Sequence, residues 1–485
     1  MSHPVASPAD LARPIGAVAS TAPRPGAVVA VLSFSGIVVS SMQSMVIPLL
    51  PELSRLVHAS ASGTVWAITA TLLASAVATP VAGRLGDMYG KRRMLLTSLG
   101  LLMVGSVVAG LSTTLIPLVV GRTLQGLAAG VIPLGISVMR DELPPERLGS
   151  ATATMSSSLG VGGALGLPAA ALIADHTNWH LLFWISAGLG AIATALVLRL
   201  VPESPVRTGG RVDLVGAAGL SAVLVCLLLA ISQGADWGWN SGRTLGLFVA
   251  GVAALLAWGR WELSTRQPLV DLRTSARRQV LVTNLASVMF GVATMPVRLV
   301  QPQILQLPAA TGYGLGKSLL VTGLVLTPTG LVMMVVSPLS ARISAARGPE
   351  TTLMAGAVVI AAGYALGIGL MSAIWQLMMV TSVIGAGIGL AYGAMPALIM
   401  AAVPISETGA ANSLNSLMRT IGAAAASAVG GAVLAQLTIT VAGVAVPGEN
   451  GLRVAMAIGG GAALLALAIA TLIPRHTPPP PACAC

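Results

Sequence analysis

Residues 83–95 read GRLGDMYGKRRML, with four basic side chains, one aspartate and three glycines in a single short stretch. It stands between two long apolar runs, in a chain of 485 residues that is 55% hydrophobic and 8% charged. Soluble domains carry about 25% charged residues, so this composition belongs in a bilayer. Charge gathered into one short loop then marks a polar turn at a membrane face. Apolar runs of about 18 residues or more recur along the chain, each long enough to cross roughly 30 Å of hydrocarbon as a helix. They are too long and too uniformly apolar for barrel strands, which leaves helices as the spanning form.

Reading apolar runs against loop punctuation predicts fourteen spans, at 27–50, 63–83, 94–112, 115–139, 149–173, 180–201, 213–233, 244–261, 280–306, 318–341, 351–371, 374–397, 408–436 and 452–473. With the amino terminus in the cytoplasm, nineteen Lys or Arg fall in cytoplasmic segments or at the cytoplasmic ends of spans, four outside (Arg55, Arg243, Lys317, Arg453) and three in span interiors. The positive-inside bias therefore puts both termini in the cytoplasm, and the opening stretch on the cytoplasmic side between spans 2 and 3.

An internal repeat organises the spans. VAGRLGDMYGK (81–91) laid over LSARISAARGP (339–349) superimposes Arg84 on Arg342 and Gly90 on Gly348, and QGLAAG (125–130) is similar to IGAGIG (384–389). The expected fold class is an all-α integral membrane protein with two six-helix bundles, 26–201 and 280–473. A linker, 202–279, carries an inserted two-helix hairpin. Residues 1–25 read as a disordered cytoplasmic tail and 474–485 as a Pro-rich one. In the hairpin's outer turn, ADWGWNSGR (235–243), Trp237 and Trp239 fit an interfacial anchor. Sequence repeats with a site at their interface describe many secondary transporters.

Several function classes drop out. The net charge of +11 comes from loop residues and not from a basic patch with interleaved aromatics, so no nucleic-acid partner is expected. Three cysteines give neither metal spacing nor a disulfide framework. No phosphate-binding Gly-x-x-x-x-Gly-Lys-Ser/Thr loop occurs, which argues against ATP driving. The histidines lie in tails, in loops or at span ends, so an enzyme is not expected, nor a cofactor or metal. Arginine outnumbering lysine, with abundant alanine and glycine, fits a bacterial chain from a GC-rich genome.

The opening stretch resembles the loop signature of the major facilitator superfamily, Gly-x-Leu-Ala-Asp-Arg-x-Gly-Arg-Lys, through Gly83, Leu85, Asp87, Gly90, Lys91 and Arg92; Met88 stands where the pattern prefers arginine. LVVGRTLQGLAAG in span 4 is similar to the Arg-x-x-Gln-Gly motif of proton-coupled drug exporters through Arg122, Gln125 and Gly126. Span 5, GVGGALGLPAAAL (160–172), partly matches the exporter pattern Gly-x-x-x-Gly-Pro-x-x-Gly-Gly. Leu167 splits the Gly-Pro step, and alanines replace the final glycines. With fourteen spans, the resemblance points to the drug:proton antiporter branch and implies the major facilitator fold. It also implies that Asp87 latches onto the positive end of a neighbouring helix in the outward-facing state. Lys91, Arg92 and Arg93 are expected to anchor the loop at the anionic leaflet. Gly162, Gly163, Gly166 and Pro168 read either as a span 5 hinge or as plain close packing.

Ionisable residues inside a span are functional candidates by default. Three are found, all arginines: Arg122, Arg298 and Arg419; no Asp or Glu lies clearly within a span. Where fourteen-span exporters of cationic drugs carry a Leu-Asp-x-Thr acid in span 1, this chain reads SSMQSMVIPLLPEL, with Met42 near the place. A positive cavity favours neutral or anionic compounds and disfavours lipophilic cations. Glu52 is expected to pair with Arg298 as an outer gate, against the plainer reading of a solvated loop residue. Span 9, MPVRLVQPQILQL (295–307), has two prolines and three glutamines and reads as cavity-lining, with Gln301 beside Arg298. Gln43, Trp66, Gln125, Asn284, Asn412, Asn415 and Arg419 complete the expected substrate and proton pathway. The expectation is a monomeric, proton-coupled exporter of drug-like small molecules in the inner (plasma) membrane. A lipid or lipid-precursor translocator and an uncoupled facilitator of the same fold are the alternatives.

Overall fold

The computed structural model describes residues 25–474, apart from 47–48, 50–52, 54, 60, 65, 177, 205 and 442–443. Of the expected tails only Pro25, which opens the first helix, and Pro474 are described; the rest of both, and Glu52, lie outside the described residues. Fourteen helices are long and apolar enough to cross a membrane. In chain order they are α1 (Pro25–Ser44), α2 (Trp66–Tyr89), α3 (Lys91–Gly110), α4 (Leu115–Glu142), α5 (Pro145–His176), α6 (His180–Leu200), α7 (Leu214–Trp237), α8 (Gly242–Ser264), α9 (Arg278–Gln306), α10 (Leu319–Arg347), α11 (Pro349–Gly369), α12 (Ile374–Ala402), α13 (Thr408–Gln436) and α14 (Glu449–Ala470). At 1.5 Å per residue each is at least as long as the hydrocarbon is thick.

Two apolar cores form. One joins α1 to α6 through residues such as Leu32, Leu99, Leu134 and Phe183. The other joins α9 to α14 through Phe290, Ile360, Tyr364, Leu377 and Met456. Between them, Leu220, Val223, Leu224 and Leu228 of α7 pack with Ala76 of α2 and Leu417 of α13, so the inserted hairpin rests on both halves. Its second helix, α8, is the least enclosed of the fourteen.

The internal repeat is visible in the backbone. Gly90, between α2 and α3, has φ +117°, and Gly348, between α10 and α11, has φ +89°. Both turns use the conformation that glycine alone adopts freely. The second repeat differs: QGLAAG carries a 3-10 turn, Leu127–Gly130, that interrupts α4, whereas IGAGIG lies inside an unbroken α12. Span 4 still runs as one segment, Leu115–Glu142, with this tightened turn at its middle. The clearest addition to the expected architecture is a two-stranded antiparallel ribbon between α13 and α14, β1 (Thr438–Val441) with β2 (Val444–Pro447). The Tyr313 hydroxyl donates to the carbonyl of Pro447 at its base.

Capping explains several helix starts. Asp213 accepts from the N–H of Gly216 at 2.8 Å at the start of α7, and Ser241 and Ser318 cap α8 and α10. α8 runs on to Ser264, so Glu262 belongs to a spanning helix and is 2% exposed.

Candidate functional site

The two halves meet where α2 crosses α13, and small residues bring the backbones together there. A Cβ on Gly83 would lie 2.2 Å from Ser413 Oγ and 2.5 Å from the carbonyl of Gly409. One turn on, Asp87 reaches across. Its carboxylate accepts from the N–H groups of Gly409 at 3.1 Å and Ala410 at 2.8 Å, in the first turn of α13. Those N–H groups have no partner within their own helix, and an anion there also meets the positive end of the helix dipole. Arg140, at the end of α4, donates to Thr408 Oγ1 at 2.6 Å and to the carbonyl of Val403 at 3.2 Å, making a second tie between the halves.

Beneath Asp87 lies Lys91, whose Nζ is 2.6 Å from Asp141 Oδ2 and 3.8 Å from Asp87 Oδ1. Its side chain is wholly buried, so Lys91 does not reach lipid headgroups. The correction has a simple cause: the positive φ at Gly90 turns the start of α3 inward, beside the acid that ends α4. Arg92 donates to the carbonyl of Leu198, and exposed Arg93 lies 3.8 Å from Glu203. The linker after α6 closes over the cluster, with Ser204 donating to Asp141 and the N–H of Thr208 to the carbonyl of Asp87.

Within the first half, Arg122 is 1% exposed. It donates to the carbonyls of Ala67 (3.2 Å) and Met42 (3.0 Å) and to Gln125 Oε1 (2.7 Å), and Gln125 donates to Ser106 at 2.8 Å. Every acceptor is neutral, so the guanidinium straps α1, α2 and α4 together without an ion pair among the described residues. Gly126 lets α2 approach, since a Cβ there would stand 2.4 Å from the carbonyl of Thr71.

A narrow gap between the halves, with room for about one water, is lined by Ile132, Pro133 and Ile136 of α4, Ser156 of α5, Pro396 of α12, and Asn412, Asn415, Ser416 and Arg419 of α13. Arg419 is half-buried. It donates to Asn415 Oδ1 at 2.9 Å and lies 4.7 Å from the centre of the Tyr392 ring, within cation–π range. Asn415 in turn donates to Asn284 Oδ1 (2.9 Å) and Ser287 Oγ (2.7 Å) of α9. Asn412 donates to the carbonyl of Thr408, one turn back. The lining holds one cation and no acid, a surface that accepts an anion or a neutral hydrogen-bond acceptor.

Other expected residues fall elsewhere. Gln301 is 0% exposed among Val297, Val300 and Ile304 in the core of the second half, so it does not line the gap. Arg298, one turn back on the same helix, is exposed, so the edge of the core runs between the two. Gln43 and Trp66 are half-buried on α1 and α2, away from the gap lining. The expected partner of Arg298, Glu52, lies outside the described residues. In α5, Gly162 and Gly166 seat α1, and Pro168 meets Gly323 of α10, all within one continuous helix.

Arg140, Asp141 and Tyr392 were missed as site residues. Arg140 counted as another positive-inside charge. Its signal was position, since it and Asp141 end the same span that Arg122 enters. Tyr392 is one of four tyrosines in the chain and sits mid-span, which is a usable clue in a sequence with 3% aromatic residues.

The sequence pattern of the Major Facilitator Superfamily matches residues 32–427 and, in a second match, 303–483. Multidrug resistance protein 3 of Bacillus subtilis (strain 168) is 24% identical over 74% of this chain and 69% of its own length. Multidrug resistance protein Stp of Mycobacterium tuberculosis (strain CDC 1551 / Oshkosh) is 27% identical over 80% and 71%. Among solved structures, the human organic anion transporter MFSD10 (TETRAN) superimposes with a TM-score of 0.64 at 15% identity, over 92% of this chain and all of that one. At that identity the likeness carries the fold alone.

Proposed function

The chain belongs to the Major Facilitator Superfamily, and from that premise we propose that it exports drug-like or antibiotic compounds, neutral or anionic ones preferred, by proton antiport. Members of this superfamily are transporters of small molecules and not enzymes. The proposal places the Asp87 face in the cytoplasm, both termini with it, in the inner membrane of a bacterium. Alternating access then opens and closes the Asp87–Gly409 contact, and Asp87 acts as the latch of the outward-facing state.

The observation that carries the reading is the Arg419 cluster at the seam of the two halves, whose surroundings hold a cation and no acid. Export is supported by the resistance proteins to which the chain is similar. The test is substrate-driven proton movement in proteoliposomes of the pure protein, using matched cationic, neutral and anionic hydrophobic compounds and an internal pH dye. Proton flux with neutral or anionic compounds is the expected result. Flux with cations alone would overturn the charge preference. Transport without proton flux would replace antiport by facilitated diffusion, and movement of labelled phospholipid would make the protein a lipid translocator.

A further inference from the structure

Proline at 296 has no N–H, so the carbonyl of Val292 loses its helical donor, and Pro302 does the same to the carbonyl of Arg298. The next step of the α9 ladder runs from Val297 to Ala293. The hydroxyl of Tyr364, on α11, sits on that step: it accepts from the N–H of Val297 at 3.2 Å and donates to the carbonyl of Ala293. The side chain is 1% exposed. Its ring fits because Gly459 of α14 has no side chain; a Cβ there would stand 2.6 Å from the ring.

Below this point α9 is fixed. Asn284 and Ser287 bond Asn415, and a Cβ on Gly291 would lie 2.1 Å from the carbonyl of Arg419. Above it the polar groups are not settled. Among the described residues, both amide atoms of Gln301 are buried without a hydrogen-bond partner, as is Oε1 of Gln303. A buried amide left unpaired costs free energy, so an arrangement of this segment that satisfies it is favoured.

We propose that Tyr364 is the positioning residue of a hinge in α9. Its hydroxyl holds the Pro296 break at one bend, and the end of the helix beyond it, carrying Arg298 and Gln301, swings about that point as the halves alternate. The proposal rests on the alternating-access reading above and is independent of which compound is carried.

The test uses the full chain in lipid nanodiscs with Cys226, Cys483 and Cys485 replaced by serine. Spin labels go at Thr114→Cys and Ala310→Cys, both on the face opposite Asp87. Tyr364→Phe removes the hydroxyl and keeps the ring, whereas Gly459→Ala keeps the hydroxyl and displaces the ring. The expected result is that both variants shift the label-to-label distance distribution in the same direction. The ratio of conformers changes roughly tenfold, the size that two lost hydrogen bonds produce. An unchanged distribution in both variants overturns the proposal. So does a fall in thermal stability with the distribution unchanged, since Tyr364 would then be a packing residue. Because the labels report without substrate, a failed transport assay leaves the outcome decidable.

Discussion

Lys91 and Asp141 face each other across 2.6 Å with neither side chain reached by solvent. The pair lies under Asp87 and locks the ends of α3 and α4 together, so the residue that reaches the other half stands on a fixed base. Removing one member of a buried pair strands the other charge and costs about 3–5 kcal/mol, whereas replacing both with apolar residues costs far less. Lys91→Met is expected to lower thermal stability more than Asp141→Leu, because it leaves both Asp87 and Asp141 without their cation. The double variant should recover most of the loss. A double variant as unstable as Lys91→Met would show that the pair does not act as a unit.

Asp87→Ala should loosen the contact between the halves without unfolding either. Losing a helix cap costs about 0.5–2 kcal/mol. Ser413, buried at the α2–α13 crossing, reports on this when replaced by cysteine. Its alkylation rate should rise roughly two- to thirtyfold in the Asp87→Ala background, with Asp87→Asn in between. An unchanged rate would remove Asp87 from the role of latch.

Gly83→Val tests the crossing itself. A side chain there meets the carbonyl of Gly409 as well as Ser413 Oγ, and overpacking of this kind costs about 1–3 kcal/mol. Transport is expected to collapse while substrate binding from the opposite face persists. Ser413→Gly should rescue little, because the Gly409 carbonyl remains in place. Full rescue would mean that the side chain, and not the backbone approach, sets the limit.

Arg419→Gln addresses selectivity. Hydrogen bonds to a charged group contribute about 1.5–3 kcal/mol, so anionic compounds should lose roughly ten- to a hundredfold in apparent affinity while cationic ones lose little. Competition binding with a charge-matched series measures this. Equal losses for all charges would make Arg419 a structural strut for Asn415 and Tyr392.

The architecture was readable because hydropathy and charge bias act through the whole chain: the fourteen spans and the repeat of Gly90 in Gly348 need no tertiary knowledge. Asp87 was readable as a residue because it is the one acid of a basic loop. What it touches was not, since Gly409 lies 322 positions away and is one glycine among 56. Lys91 and Gln301 went astray for the same reason. Sequence gives the side chain and its depth along a helix, but the face it presents depends on how neighbouring helices pack.

The inserted hairpin has one further consequence. Helix α7 touches α2 in one half and α13 in the other, with Thr69 and Ser232 oxygens 3.4 Å apart on the first of these seams. A body wedged against two plates cannot ride with both when they tilt apart. Each transport stroke must therefore shear one of the two seams, and the friction of that seam against the surrounding lipid enters the rate of the stroke. Twelve helices in two bundles would have no such third party.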